Sequence, residues 1–414
     1  MIFSVHTDQH IKNAGGVFGY SYGYDRIKKH FNEFVYRKKT LEVVENSPFA
    51  KVQMFYMEPE WYDLRSMKNL RSPDFQKHHD HQYKIIGTHL EADVVWSHWI
   101  DTMNSVDEIW VGNDFAKNAV LNSGITTPTY VFEHGIDSMW KPRKRGQNKK
   151  IKFLHVDSGS PRKRADLVER AFLTLFANNP HVELTLKYHS HEAPTSYSVM
   201  KLFVEEHENI KKIYKTVSQE EMVQLFYDHD VLVYPSEGEG FGFIPLQALC
   251  TGMPVISTGR WCSYEKYLGQ NIIDSKMGRT TYTGYFEGNV VLADFDSLVD
   301  HMRNVYENMD SQCDYFFNQS KEVYEEYNWT NRVKYFMNSF VKRVGSALLR
   351  PLEEDHFLKG KYVMYTGNGS FCTKNGILFN KKDRVKVVPN EVYENLIFQD
   401  LFTIPTKEQI RNGF

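Results

Sequence analysis

Cysteine is scarce. The 414-residue chain has four, Cys250, Cys262, Cys313 and Cys372, and none stands in a CxxC pair. That sparseness excludes a disulfide scaffold and a cysteine-built zinc site. Long apolar runs are missing as well, so no membrane-spanning helix is expected. The start, MIFSVHTDQHIKNAGG, lacks the basic stretch and apolar run of a secretory signal, and a reducing cytoplasm is the expected location. No charge of one sign dominates: Lys+Arg is 50, Asp+Glu is 52, and the formal net charge is -2. A uniformly basic nucleic-acid coat is thereby excluded, though a local basic patch is not. No internal repeat of fixed period is visible.

What remains is globular. Hydrophobic residues make up 41% and charged residues 25%, which excludes a disordered or collagen-like chain. The length exceeds one small core and fits two domains. Apolar strands alternate with amphipathic helices. Ile2 to Val5 precedes a loop with Ala14, Gly15 and Gly16, then a helical pattern from Tyr20 to Phe34. Asp93 to Trp96 and Glu108 to Val111 read as buried strands, Phe115 to Asn122 as a helix stopped by Gly124, and Thr129 to Phe132 as a strand. The alternation predicts a parallel sheet covered on both faces. The charged stretch from Lys141 to Lys150 breaks the pattern and reads as a linker. The pattern then restarts. Strands are expected at Ile151 to Val156, Val182 to Tyr188, Val231 to Tyr234 and Val255 to Ser257. Helices are expected at Ala165 to Ala177, Ser218 to Tyr227 (with Ser218 and Glu221 as a capping box) and Phe243 to Leu249. Two α/β domains would face each other across a cleft at the strand carboxyl ends. The expected organisation is a first domain over 1–145, a second over 151–328, a helix at 329–347 returning to the first, and a β-rich appendix over 350–414.

The stretch richest in chemistry is Tyr234-Pro-Ser-Glu-Gly-Glu-Gly-Phe-Gly-Phe-Ile-Pro-Leu-Gln247. A strand ends, glycines let the backbone approach a ligand, and a helix begins with Pro245 in its first turn. Free N–H groups at such a helix start favour an anion, typically a phosphate. Glu239 cannot bind that phosphate. It suits hydroxyl donors, which a sugar offers.

This stretch resembles the donor-binding signature of family-4 retaining glycosyltransferases of GT-B architecture: a Glu, seven residues, then a second Glu. Glu239 matches the first; the second position is Gln247. Three further segments resemble the family in the same order. These are Asn13-Ala-Gly-Gly16, Glu108 to Asp137 with its His-Gly-Ile-Asp ending, and Phe153 to Asp166, in which Lys163 falls on the phosphate-contacting lysine. The family's arginine in the last segment falls on Ser158. The resemblance spans roughly 1–345 and implies sugar transfer from a nucleotide sugar with retention of configuration. It assigns Glu239 to the donor sugar and Lys163, with Phe241 to Phe243, to the diphosphate. Gly15, Gly16, Arg162, Val217, Gly240, Gly242 and Gln247 line the donor site. A UDP-sugar is the first donor to test, and no metal is required. His98 and Asp101 are acceptor-side candidates.

Other features have plainer readings. Asp228-His-Asp230 resembles a metal-binding DxD but sits at a helix-to-strand join, where the family has a structural Asp. His78-His-Asp-His81 reads as an exposed polar loop, and His134 as a structural turn residue. Lys163, between Arg162 and Arg164, could be only a solvated turn. From Lys359 to Lys386 the appendix carries Lys359, Lys361, Lys374, Lys381, Lys382, Arg384 and Lys386 against Asp383. That is a candidate polyanion surface, or else a solvated face or an oligomer contact. The acceptor is accordingly either a glycan or hydroxymethylcytosine in duplex DNA, as for bacteriophage DNA-modifying sugar transferases, in which case the location is a host cytoplasm; the basic appendix, with no membrane anchor expected, leans towards the DNA. The competing reading is a non-catalytic glycosyltransferase-like binding module. A pyridoxal-dependent carbohydrate phosphorylase shares the architecture, but nothing resembles its cofactor-lysine region.

Overall fold

A computed structural model describes residues 2–7, 19–45, 50–56, 82–145, 150–188, 206–280, 287–349, 361–373, 377–379, 384–388, 393, 395–397, 399–406 and 409. Two parallel sheets organise it. The first has six strands in the order Glu42–Glu45, Ile2–His6, Val52–Tyr56, Tyr83–Thr88, Glu108–Val111, Thr129–Val131. The second has five, in the order Ile210–Tyr214, Val182–Tyr188, Ile151–Val156, Val231–Tyr234, Val255–Ser257. Central strands such as Val231–Tyr234 are buried at every position, as expected of parallel strands covered on both faces.

One expected strand is wrong. Asp93 to Trp96 is a turn and loop, not a strand. The Asp93 carboxylate accepts from the Asn289 backbone N (2.6 Å) and Nδ2 (2.9 Å), which ties it to the second sheet's domain. The strand in that part of the chain is Tyr83–Thr88, where Lys84, Gly87 and Thr88 interrupt the apolar run. Val52–Tyr56 and Ile210–Tyr214 are likewise strands that the sequence pattern did not single out.

Helix ends follow local chemistry. Ser218 and Glu221 form the capping box at the start of Gln219–Tyr227. The helix Asp114–Asn122 gives way to Gly124 at φ +73°, a backbone region that glycine enters without steric cost. Asn328 caps Trp329–Val344 by accepting from the Asn331 backbone N at 2.9 Å. That helix follows the second sheet in sequence but packs on the first. Val333, Phe336, Phe340 and Val341 join Phe3, Phe31 and Trp110 in one buried cluster. Arg343 pairs with both oxygens of Glu108, Nε–Oε1 at 3.1 Å and Nη2–Oε2 at 3.0 Å.

The chain from Trp140 to Arg145 is anchored at both ends. Trp140 is fully buried against Phe226, and Arg145 donates to the carbonyls of Phe226, His229 and Thr251. Near the end of the chain, Val385–Val388, Lys361–Tyr365 and Phe402–Thr403 form a small antiparallel sheet. It has its own core of Val363, Tyr365, Phe379, Val388, Leu396 and Phe402. Lys359, Lys374, Lys381 and Lys382 lie outside the described residues.

Candidate active site

The loop after Val231–Tyr234 is held from below and from both sides. Gly242 has φ +80°, and a Cβ there would stand 2.4 Å from Trp261 and from Tyr264. Only glycine fits the point where the loop turns into the helix Phe243–Cys250. Glu239 lies within this loop, 7% exposed. Its Oε1 accepts from the Ser236 hydroxyl (2.6 Å), the Tyr234 hydroxyl (3.1 Å), Arg162 Nη1 (2.8 Å) and Lys163 Nζ. Burial alone would raise its pKa. Arg162 and Lys163 outweigh burial and bring the carboxyl down to about 2.

The two cations come from the turn Pro161–Lys163. Asp157 shapes the approach to that turn by accepting from the backbone N of Gly159 (2.8 Å) and Ser160 (3.0 Å). Lys163 also donates to the Tyr234 hydroxyl at 2.6 Å. It is buried, not a solvated turn residue. Burial and the neighbouring Arg162 lower its pKa, and Glu239 opposes them. Arg164 follows at φ +58°, left-handed without being glycine. Its guanidinium bonds Asp166 and, at 2.8 Å, Glu237, whose side chain is fully buried.

The first domain closes over the same loop. A Cβ on Gly112 would lie 2.3 Å from the Gly240 carbonyl oxygen. Asn113 donates to that oxygen at 2.9 Å while its Oδ1 caps Asp114–Asn122. A Cβ on Gly240 would lie 2.3 Å from Cβ of His89. Glu91 reaches across to Arg162, Oε1 to Nη2 2.9 Å. Behind His89 runs a buried chain of hydrogen bonds. His134 Nδ1 donates to the Phe132 carbonyl (3.1 Å), so its Nε2 accepts from the Tyr56 hydroxyl (2.8 Å). The Tyr56 oxygen in turn accepts from His89 Nε2 (2.8 Å). Burial lowers His89 to about 4 and His134 well below its ordinary value, so both rings are neutral near pH 7.

The structure thus joins Arg162, Lys163 and Glu239 directly, beside Gly240, Phe241, Gly242 and Phe243. Gln247 lies on the following helix, 5% exposed, and its Oε1 has no hydrogen-bond partner among the described residues. Val217 is half-buried ahead of the capped helix. His98 and Asp101 are exposed on a helical turn, while His89 and Glu91 approach Gly240 and Arg162 from the first domain. Gly15 and Gly16, and His78 to His81, lie outside the described residues. Asp228-His-Asp230 is occupied by the fold: His229 bonds Leu225 O and Thr185 Oγ1, and Asp230 accepts from the Lys152 backbone N. Asn113 and His134 lie within motif segments, so a signal for them existed. Tyr56, His89 and Glu91 had none, because they sit where neither periodicity nor a motif marks them.

Two facing parallel-sheet domains with a glycine-rich loop and paired cations at their junction are a GT-B fold. Residues 138–312 match the family model for Glycosyl transferases group 1 and form a domain of that kind. A curated relative, the lipopolysaccharide core biosynthesis mannosyltransferase LpsB of Rhizobium meliloti (strain 1021), is 33% identical over 82 residues, 20% of this chain and 20% of that protein. The chain therefore matches about a fifth of that relative's length. HepE of Anabaena, solved in complex with UDP-glucose, superposes with a TM-score of 0.54 at 11% identity, over 82% of this chain and 99% of that one. The trehalose-6-phosphate synthase OtsA gives 0.55 at 9% identity, over 84% and 100%. At such identities the likeness is one of fold.

Proposed function

We propose that this chain is a retaining glycosyltransferase that moves a sugar from a nucleotide sugar to an acceptor hydroxyl. The observation that carries the reading is the convergence of Arg162 and Lys163 on Glu239, beside the start of Phe243–Cys250 and inside the group 1 domain. In the reaction, the bond from the anomeric carbon to the diphosphate oxygen breaks and a bond to the acceptor oxygen forms on the same face. The acceptor proton passes to the departing phosphate. Negative charge grows on the diphosphate, and preorganised cations and helix-start N–H groups stabilise it without reorganising. Lys163, Arg162 and the amides from Gly240 to Phe243 take that role. Glu239, held as a carboxylate, accepts from donor-sugar hydroxyls. Gln247, with its buried amide oxygen, faces the nucleotide ribose through neutral hydrogen bonds.

A UDP-sugar is the first donor to test, since HepE was solved with UDP-glucose. A glycan is the favoured acceptor class, in keeping with the lipopolysaccharide core relative. Hydroxymethylcytosine DNA is the comparison arm. The test is nucleoside diphosphate release from UDP-, GDP-, ADP- and CDP-sugars, with a glycan panel or with hydroxymethylated duplex DNA. Release from one donor that is raised by a glycan and abolished in Glu239→Ala supports the reading, and EDTA leaves it unchanged. Stimulation by the DNA alone moves the acceptor to nucleic acid. Donor binding without turnover under any condition supports the non-catalytic module.

A further inference from the structure

Glu91 belongs to the first domain, yet its carboxylate pairs with Arg162 of the second at 2.9 Å. The site therefore contains two cations, Arg162 and Lys163, and two carboxylates, Glu239 and Glu91. Their formal charges cancel. A diphosphate that must draw on both cations enters a site whose positive charge is already matched. One carboxylate has to give way.

The two carboxylates are held very differently. Glu239 is 9% exposed at its side chain and accepts from four donors. Glu91 is 27% exposed at its side chain, and among the described residues Arg162 is its one ion-pair partner. Its backbone packs closely against the donor loop, its carbonyl oxygen 2.1 Å from where a Gly238 Cβ would stand. The side chain can swing while the domain contact persists. Arg162 is retained by other bonds, to Glu239 and to the Gly238 carbonyl.

We propose that Glu91 is a built-in counter-anion for Arg162, which the donor diphosphate displaces on binding and which reclaims Arg162 when the nucleoside diphosphate leaves. The proposal rests on the reading of this site as a nucleotide-sugar site. Glu91 is a positioning residue: it acts on the ligand through Arg162. It neutralises the cation pair between turnovers and helps expel the product.

The test uses the full chain and calorimetric titration with UDP, GDP, ADP and CDP. Glu91→Gln keeps the shape and removes the charge. It is expected to tighten binding of the cognate nucleoside diphosphate about tenfold at low salt, to lower the donor KM, and to lower kcat because product leaves more slowly. Glu91→Asp is expected to stay close to wild type. In an Arg162→Gln background, Glu91→Gln is expected to change affinity little, because the group it competes for is gone. If Glu91→Gln does not fold, Glu91→Ala gives the same affinity reading. Unchanged or weakened nucleotide affinity in a folded Glu91 variant overturns the exchange and leaves the transferase reading standing. Failure of the wild type to bind any of the four nucleotides overturns both.

Discussion

At the residue scale the site depends on buried charge. Glu239 is depressed to about 2 from an ordinary 4.5, so the unfolded chain binds more protons in that range. Its stabilising contribution is full above about pH 4.5 and is lost as pH falls towards 2. His89 falls to about 4 from 6.5. A histidine buried neutral likewise costs stability as pH falls, over the higher window from 6.5 down to 4. Urea melts followed from pH 8 to 4 should show wild-type stability declining below pH 6.5, with His89→Gln flattening that decline. An equal slope in both proteins refutes the assignment. Arg164 supplies a second case. Its left-handed backbone, at φ +58°, costs about 1–2 kcal/mol, which glycine would relieve. Its guanidinium, however, neutralises Glu237 in a fully buried position, and breaking such a pair costs about 3–5 kcal/mol. Arg164→Gly is therefore expected to lower unfolding free energy by about 2 kcal/mol, read by urea denaturation. A stabilised variant would show that strain outweighs the ion pair.

At the element scale, the contact between the domains is made by backbone approach. Gly112 and Gly240 meet so closely that a methyl group on Gly112 would stand 2.3 Å from a carbonyl oxygen. A carbonyl cannot rotate aside as a side-chain tip can. Gly112→Ala should therefore push Asn113 away from the Gly240 carbonyl and displace the donor loop. Donor turnover is expected to fall at least about tenfold, while the melting temperature drops by only a few degrees. Normal turnover would show that the loop tolerates the shift. The glycine-rich loop and the helix after it were legible in the sequence because their chemistry is local: glycines, a proline in the first turn, a strand ahead of them. His89 and Glu91 were not, because their importance comes from a loop that crosses to another domain. The same cause explains the misread strand at Asp93 to Trp96. The apolar residues there suit a strand, but Asp93 is committed to Asn289, a partner invisible in a short window.

At the scale of the whole molecule, the helix Trp329–Val344 fastens the end of the second domain to the first. Phe336 is 6% exposed and packs edge-on against Trp110 (4.7 Å between centroids) and tilted against Phe132 (4.6 Å). Phe336→Ala is expected to cost about 3–5 kcal/mol and to lower the melting temperature of the whole chain. A loss under about 1 kcal/mol would mean that the helix is a loose attachment. Sequence alone determined the alternation of strands and helices, the parallel sheets, the capped helix starts and the loop that carries Glu239. Each depends on period, propensity or turn chemistry within a few residues of its neighbours. Only the tertiary structure decided that Arg162 and Lys163 converge on one carboxylate, that Tyr56 links two histidines behind the donor loop, and that Glu91 faces Arg162 from the opposite domain. Those contacts join residues 33 to 78 positions apart. Their free energy comes from burial and charge pairing, which exist only once both sheets have formed and met.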